Sequence, residues 1–307
     1  MRNAFANIIY ESAKIDPKIC VVVADISPAG SIEKFRKEFP NRFINTGVAE
    51  QSMIGIAAGM ASCGMKPFCY TIATFALYRP LEFIRVDLCY QNLPVVVVGM
   101  GSGLVYSTLG GTHHSIEDVA IASSIPNMQV LAPCDSIELS SLTSWCINES
   151  TQPTYLRIGK AGEPDLTADS IDPVIFGKIR YVKQGRDIAI FSYGTIFSLA
   201  QNIAAKLTEN GKSISLISVH TLKPLDNNGI KKVLASHKQV IVIEEHVEHG
   251  SLGVKIKSLA YDISANCKIK TFFLKDQFIH MYGSHDDLLR EYGICKSSIV
   301  KDILHEE

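Results

Sequence analysis

The sequence predicts an α/β protein of two domains built on mostly parallel sheets. Three observations carry this. Short apolar runs rich in Val and Ile alternate with helix-patterned segments. The run "PVVVVGM" (94–100) is continuously apolar, as expected of a strand covered on both faces. The alternation halts in "GKAGEPDLTADSIDP" (159–173), a stretch of Gly, Pro and Asp, and then restarts. A chain of 307 residues is long enough for two such units.

Residues 1–15 read as an amphipathic helix. "KICVVVAD" (18–25) follows as a buried strand that ends in Asp25 and a turn, "ISPAG". "RFINTG" (42–47) is a short strand and turn, and 50–63 a helix packed through Gly and Ala. "KPFCYTI" (66–72) is a strand. "TFALYRPLEFIRVDLCYQN" (74–92) is largely helical, with Pro80 near its first turn, where proline is tolerated. A polar, Gly-rich loop spans 101 to about 116. "MQVLAP" (128–133), a helix from Asp135 and "PTYLRI" (153–158) complete the first unit. The second contains "DIAIFSYG", a helix over 196–210, "SISLISV", a helix from about 226, "QVIVIEE" and a helix after "HGSLG". The expected division is therefore 1–165 and 179–307, with a linker at 166–178.

Composition narrows the function classes. The net charge is -1 and there is no basic stripe, which argues against nucleic acid as a partner. The eight cysteines form no C-x-x-C pair, so they read as reduced core residues rather than a disulfide frame or a zinc site. The N-terminus lacks the pattern of a signal peptide, and the longest apolar run is too short and Gly-rich to span a bilayer. A soluble, cytoplasmic protein with no membrane partner is expected.

Several short stretches can carry chemistry. "NTGVAEQ" (45–51) aims Glu50 at a helix start, where it can cap N–H groups and complement the helix dipole, or handle a proton in a cleft. "VVVVGMGSG" (95–103) begins like a dinucleotide fingerprint, but "LVYSTLGGTHH" cannot open the required helix. It reads instead as a loop at the carboxyl edge of the sheet, where ligands bind in open α/β folds. "GGTHHSIED" (110–118) puts His113 and His114 in that loop, either as surface residues or as proton donors and hydrogen-bonders to a substrate. Glu117 and Asp118 suit a first helical turn. "TFALYRP" offers Phe75 and Tyr78 one turn apart, as core or as a platform for a flat ring. Arg2 and Arg157 can each clamp an anion or join an ion pair. "VIVIEEHVEHGSLG" (240–253) can bind an anion or make a domain or subunit contact.

Taken in order, "NTGVAEQ", "ATFALYR", "GGTHHSIED", "PNMQVLAPCD", "YLRIGK", "VHTLKPLD" and "EEHVEHGSLG" resemble the C-terminal half of the transketolase family over nearly the whole chain. The resemblance implies a pyrimidine-binding domain followed by a transketolase C-terminal domain, with thiamine diphosphate and a divalent metal, Mg²⁺ or Ca²⁺, as cofactors. Glu50 matches the acid that bonds the cofactor's aminopyrimidine, and Phe75 and Tyr78 match aromatics about that ring. Asp25 and Ile26 match residues near the cofactor. His113, with His114 beside it, matches the substrate histidine, and Arg2 and Arg157 match the arginines of the sugar-phosphate end. A carboxyl buried in an apolar site keeps its proton more readily, which suits the role implied for Glu50.

Two departures shape the expectation. No "GDG" occurs, so the resemblance implies a split enzyme. An N-terminal-half partner would supply the metal and diphosphate site, and the two would meet in an α₂β₂ assembly inactive without that partner. The substrate loop also differs. Gly101 stands where sugar transketolases place a histidine, Leu109 where they place an acid, and Ala29 where they place a phosphate-binding serine. An unusual sugar or sugar phosphate is expected as substrate for two-carbon ketol transfer. The alternatives are the β subunit of a 2-oxo-acid dehydrogenase E1, a deoxyxylulose-phosphate-synthase-like enzyme, or a non-catalytic scaffold with a vestigial site.

Overall fold

In the first half, fully buried Val, Ile and Leu side chains set a sheet sealed on both faces. The computed structural model describes residues 1–25, 32–160 and 162–304. The first-half strands are β1 (Ile19–Val23), β2 (Phe43–Asn45), β3 (Lys66–Ile72), β4 (Val96–Met100), β5 (Gln129–Leu131) and β6 (Thr154–Ile158). Every residue of β1, β4 and β6 is buried, as a parallel strand between two helix layers requires. The second half contributes β7 (Arg180–Lys183), β8 (Ile188–Ser192), β9 (Ile214–Ser218), β10 (Thr221–Lys223), β11 (Gln239–Val247) and β12 (Lys268–Leu274).

The strands form two sheets. The first runs β10-β5-β6-β4-β3-β1-β2, and the second β12-β11-β8-β9-β7. Both are parallel except for one edge strand each, β10 and β7. β10 comes from the second half of the chain yet completes the first sheet, so the two units share a sheet edge. The sequence reading did not mark β7, β10, β12 or the C-terminal helices His285–Glu291 and Lys296–Leu304.

One expectation changes. The single helix expected over 74–92 is three pieces: Ala73–Leu77, Leu81–Phe83 and a π-helical stretch, Ile84–Tyr90. Pro80 lies at the break, because its ring excludes a hydrogen bond back to the preceding turn. Residues in and beside the expected linker also make specific contacts with the first unit. Asp135 caps the helix Ser136–Asn148 and also binds the Thr167 N–H and hydroxyl, at 2.8 and 2.7 Å. Arg180 joins Glu138 at 3.2 Å and Thr167 at 2.8 Å, and Phe176 stacks on Trp145 with centroids 3.7 Å apart.

Buried charge ties the loop 101–116 to both halves. Asp118 and Arg157 form an almost fully buried ion pair at 2.9 Å, and Tyr155 donates to the same carboxylate oxygen at 2.8 Å. The Arg157 Nη2 group reaches the carbonyls of Ser115 and Glu245. Glu245, on β11, accepts the Leu104 N–H at 2.7 Å, the Thr195 hydroxyl at 3.1 Å and the His285 ring at 2.6 Å. Gly103 has φ +66°, and a Cβ there would lie 2.5 Å from the Glu245 carboxyl carbon. The loop can therefore close onto Glu245 only with glycine at that position.

The sequence left "VIVIEEHVEHGSLG" between an anion site and a contact; the structure makes it an internal domain contact. Glu244 takes the first N–H groups of the helix Leu252–Asp262, from Leu252 and Gly253, so the anion at this helix start is the protein's own carboxylate. His246 Nδ1–H donates to the Val247 carbonyl while Nε2 accepts the Ala120 N–H, an arrangement that needs the neutral ring.

Both buried charge pairs can be tested. Removing one partner of a buried ion pair leaves an uncompensated charge, so Asp118→Asn should cost about 3–5 kcal/mol in chemical denaturation. The double variant Asp118→Asn/Arg157→Met should recover most of that loss. The second test concerns pH. The Glu245 charge raises the His285 ring above its ordinary 6.5, against the opposing effect of burial. Burial works to raise Glu245, but His285, Arg157 and the Leu104 N–H outweigh it and hold the carboxyl below its ordinary 4.5. The His285 contribution is full below 6.5 and is lost as pH rises through its raised value. The Glu245 contribution is full above 4.5 and is lost as pH falls through its depressed value. The stability gap between wild type and His285→Asn should thus be widest between these ordinary values, and narrow on either side.

Candidate active site

Glu50 is the first residue of the helix Glu50–Ser62. The chain turns into it through Gly47, with φ +68°. Asn45 fixes that turn: its side-chain oxygen accepts the N–H groups of Gly47 at 2.9 Å and Asp25 at 3.2 Å. The Glu50 side chain does not cap its own helix. It is 3% exposed, and its carboxylate instead accepts from Arg79 at 2.7 Å.

Arg79 lies one turn beyond Phe75, past the end of the helix Ala73–Leu77. Its guanidinium stacks on the Phe75 ring, 3.9 Å from the centroid. A flat, nitrogen-rich group therefore already rests on Phe75 while donating to Glu50. The Phe75 ring also meets His113 edge-on at 5.1 Å, and His113 meets Tyr106 at 5.9 Å. The Thr74 hydroxyl holds the loop by donating to the Thr112 carbonyl at 3.0 Å. Thr112 Oγ1 in turn lies 2.9 Å from His113 Nδ1. Burial, then the Arg79 charge, lowers the His113 ring below 6.5, so it is neutral at pH 7.

Other expected residues are distributed around this core. Asp25 is exposed at the carboxyl end of β1 with φ +49°, a backbone form that acidic residues tolerate better than most. Ile26 and Ala29 lie outside the described residues. Tyr78 is half-buried, and its hydroxyl has no partner among the described residues. Burial, then Asp118, raises that phenol far above its ordinary value, so it remains a hydrogen-bond donor. His114 is buried with Nε2 unpartnered, and burial lowers it despite the Tyr106 carbonyl and Glu245. Arg2 is half-buried, with Nε unpartnered. Arg157 lies apart from the open cleft: it is 1% exposed, inside the ion pair with Asp118.

Gly101 receives a steric explanation. It has φ +73°, and a Cβ there would run into the Tyr106 ring. Tyr106 occupies that space, with Lys160 over its ring at 5.1 Å. Sequence reasoning missed Arg79, Tyr106, Asp118 and Glu245 as parts of the site. For Arg79 a signal existed, since a spacing of four from Phe75 puts both on one side of a helical turn. For Glu245 none did, because its partner lies 141 residues away.

Residues 1–162 match the family of transketolase pyrimidine-binding domains, and residues 177–299 match transketolase C-terminal domains. The chain is 30% identical over 304 residues to one subunit of the apulose-4-phosphate transketolase of Phocaeicola vulgatus, covering 99% of this chain and 96% of that one. It is 31% identical to the 1-deoxy-D-xylulose-5-phosphate synthase of Clostridium tetani, covering 98% of this chain but only 48% of that protein. Among solved structures, a split-gene transketolase described as an inactive β4 tetramer superposes with TM-score 0.87 at 29% identity, covering 99% of this chain and 96% of its own. The buried Glu50, its aromatic neighbours and the two sheets thus lie in a chain that belongs to the transketolase family, alongside the C-terminal subunits of its split members.

Proposed function

We propose that this chain is the C-terminal subunit of a thiamine-diphosphate-dependent transketolase that moves a two-carbon ketol unit between sugar substrates. The observation that carries the reading is the Glu50–Arg79–Phe75 arrangement: a planar nitrogen group stacks on Phe75 and donates to a buried carboxylate. An aminopyrimidine has the same flat shape, and its ring nitrogen would share one proton with this carboxyl: it accepts from the protonated carboxyl, or donates to the carboxylate when the ring carries the proton. The Arg79 side chain is 42% exposed and can swing into solvent to yield that seat.

Bound there, thiamine diphosphate supplies the carbanion chemistry. The rest falls to this chain's residues. Glu50 holds or accepts a proton at Oε1, in a setting that excludes most water. Phe75 fixes the plane of the ring, and Tyr78 is the second aromatic assigned to it, with its own hydroxyl in the field of Asp118 and Glu117. Asp25, at the carboxyl end of β1, is assigned to the cofactor's approach, and Ile26 takes its place beside the cofactor from the family resemblance alone. His113 is held neutral beside Phe75 and presents an imidazole nitrogen to substrate oxygens, with His114 behind it. Arg2 receives the anionic end of the sugar. Arg157 supports this set indirectly, by bracing the loop through Asp118. Metal and diphosphate are assigned to an N-terminal-half partner, within an α₂β₂ complex. Relatives that act on apulose 4-phosphate and on a sulfonated deoxyfructose support an anionic and uncommon sugar.

In the complex with its partner, Glu50→Gln should lower kcat by about 10²–10⁴, the usual worth of a positioned acid–base group. Unchanged turnover would remove Glu50 from the chemistry. Isothermal titration of the isolated chain should show no tight thiamine diphosphate binding; tight binding would refute the split site. The His113 contribution should appear on the acid limb. Activity that depends on the neutral ring should persist below 6.5 and fall as pH drops through the lowered value, a limb absent in His113→Asn.

A further inference from the structure

A second cavity lies on the seam between the two halves. It has a volume of about 370 Å³, within the usual range for small-ligand sites. The end of the helix Asp118–Ser124, β10, the start of the helix Asn227–Ser236 and the middle of the helix Leu252–Asp262 line this open cavity, and it shares no residue with the Glu50 cleft. Its polar lining consists of Lys223, Lys255, Ser123, Asn227 and Ser258, with no carboxylate among them.

The two ammonium groups differ in what holds them. Lys223 donates to the carbonyls of Ser123 at 2.9 Å and Ile125 at 2.5 Å, which leaves one of its three protons free. The Lys255 ammonium makes no hydrogen bond or ion pair with any described residue. The Ser123 hydroxyl is buried without a partner. The nearby acid, Glu244, is engaged elsewhere: its oxygens take Leu252 at 3.0 Å, Gly253 at 2.8 Å and the Tyr193 hydroxyl at 3.1 Å. Burial pushes the Lys255 amine below its ordinary value; the Glu244 charge opposes this, and the Lys223 charge adds a smaller push in the same direction as burial. Burial likewise lowers Lys223. Two ammonium groups and an idle hydroxyl thus face one cavity whose lining holds no anion to pair with them directly.

We propose that this cavity binds the phosphate group of a small phosphorylated metabolite, with Lys223 and Lys255 meeting its two charges and Ser123 donating to a further oxygen. A phosphate monoester fits better than a carboxylate, because it brings a dianion and three acceptor oxygens. Leu222, Leu225 and Leu259 supply an apolar wall for the carbon skeleton. The occupant would join the helix that begins at Asp118 to the second half of the chain, so this site reaches beyond the transketolase reading.

The test is a titration of the full chain at constant ionic strength, read from the amide shifts of Ser123, Asn227 and Ser258 so that binding elsewhere does not count. The probes are inorganic phosphate, glycerol phosphate and succinate. Both phosphates should saturate these amides, glycerol phosphate the more tightly. Lys255→Met should weaken binding about tenfold or more, the worth of a charge-assisted hydrogen bond, while Lys255→Arg restores most of it. Lys255→Met leaves the Lys223 tether intact, and its spectrum reports its folding in the same experiment. The proposal is overturned if phosphate fails to saturate these amides, if succinate binds as well, if glycerol phosphate gains nothing over inorganic phosphate, or if folded Lys255→Met keeps wild-type affinity.

Discussion

The arrangement of this protein depends on a carboxylate buried where three segments meet. Glu245 projects from the second sheet to the Leu104 N–H of the histidine-bearing loop, to Thr195 and to His285. Desolvating a carboxylate costs several kcal/mol, and an ion pair with additional hydrogen bonds is what offsets that cost. These partners satisfy the requirement only while the two halves stay in register. The same need fixes Gly103, since any side chain there would meet the carboxylate. The second half of the chain therefore serves the cleft directly, as the floor on which the loop 101–116 is anchored.

The cleft itself is assembled from one edge of the first sheet. Asp25 follows β1, Glu50 follows the turn after β2, Phe75 follows β3, and the histidine loop follows β4. Parallel strands deliver all their carboxyl ends to one side, so residues distant in sequence converge without any long-range design. A rigid, sealed sheet beneath and an anchored loop above confine the small adjustments to exposed side chains such as Arg79.

Much of this was legible in the sequence. Continuous Val and Ile runs named the parallel strands, because only strands covered on both faces can be apolar throughout. The ordered motifs named Glu50, Phe75 and His113, which the structure brings to one cleft. What escaped was set by partners far away in the chain. β10 reads as three residues of loop until β5 is present to pair with it. Arg157 at a strand end looks like a free clamp, and only the fold reveals Asp118 sealed against it. The break at Pro80 was visible, but the π-helical turn after it follows from packing rather than propensity.

The steric exchange between Gly101 and Tyr106 has a consequence for anyone redesigning substrate choice. Replacing Gly101 by histidine alone would force a side chain into the Tyr106 ring. Replacing Tyr106 alone would open a void beside His113 without giving it a new partner. Each single change is therefore expected to be worse than either end state. The two positions form one epistatic unit, so selection for sugar specificity would need to move both at once.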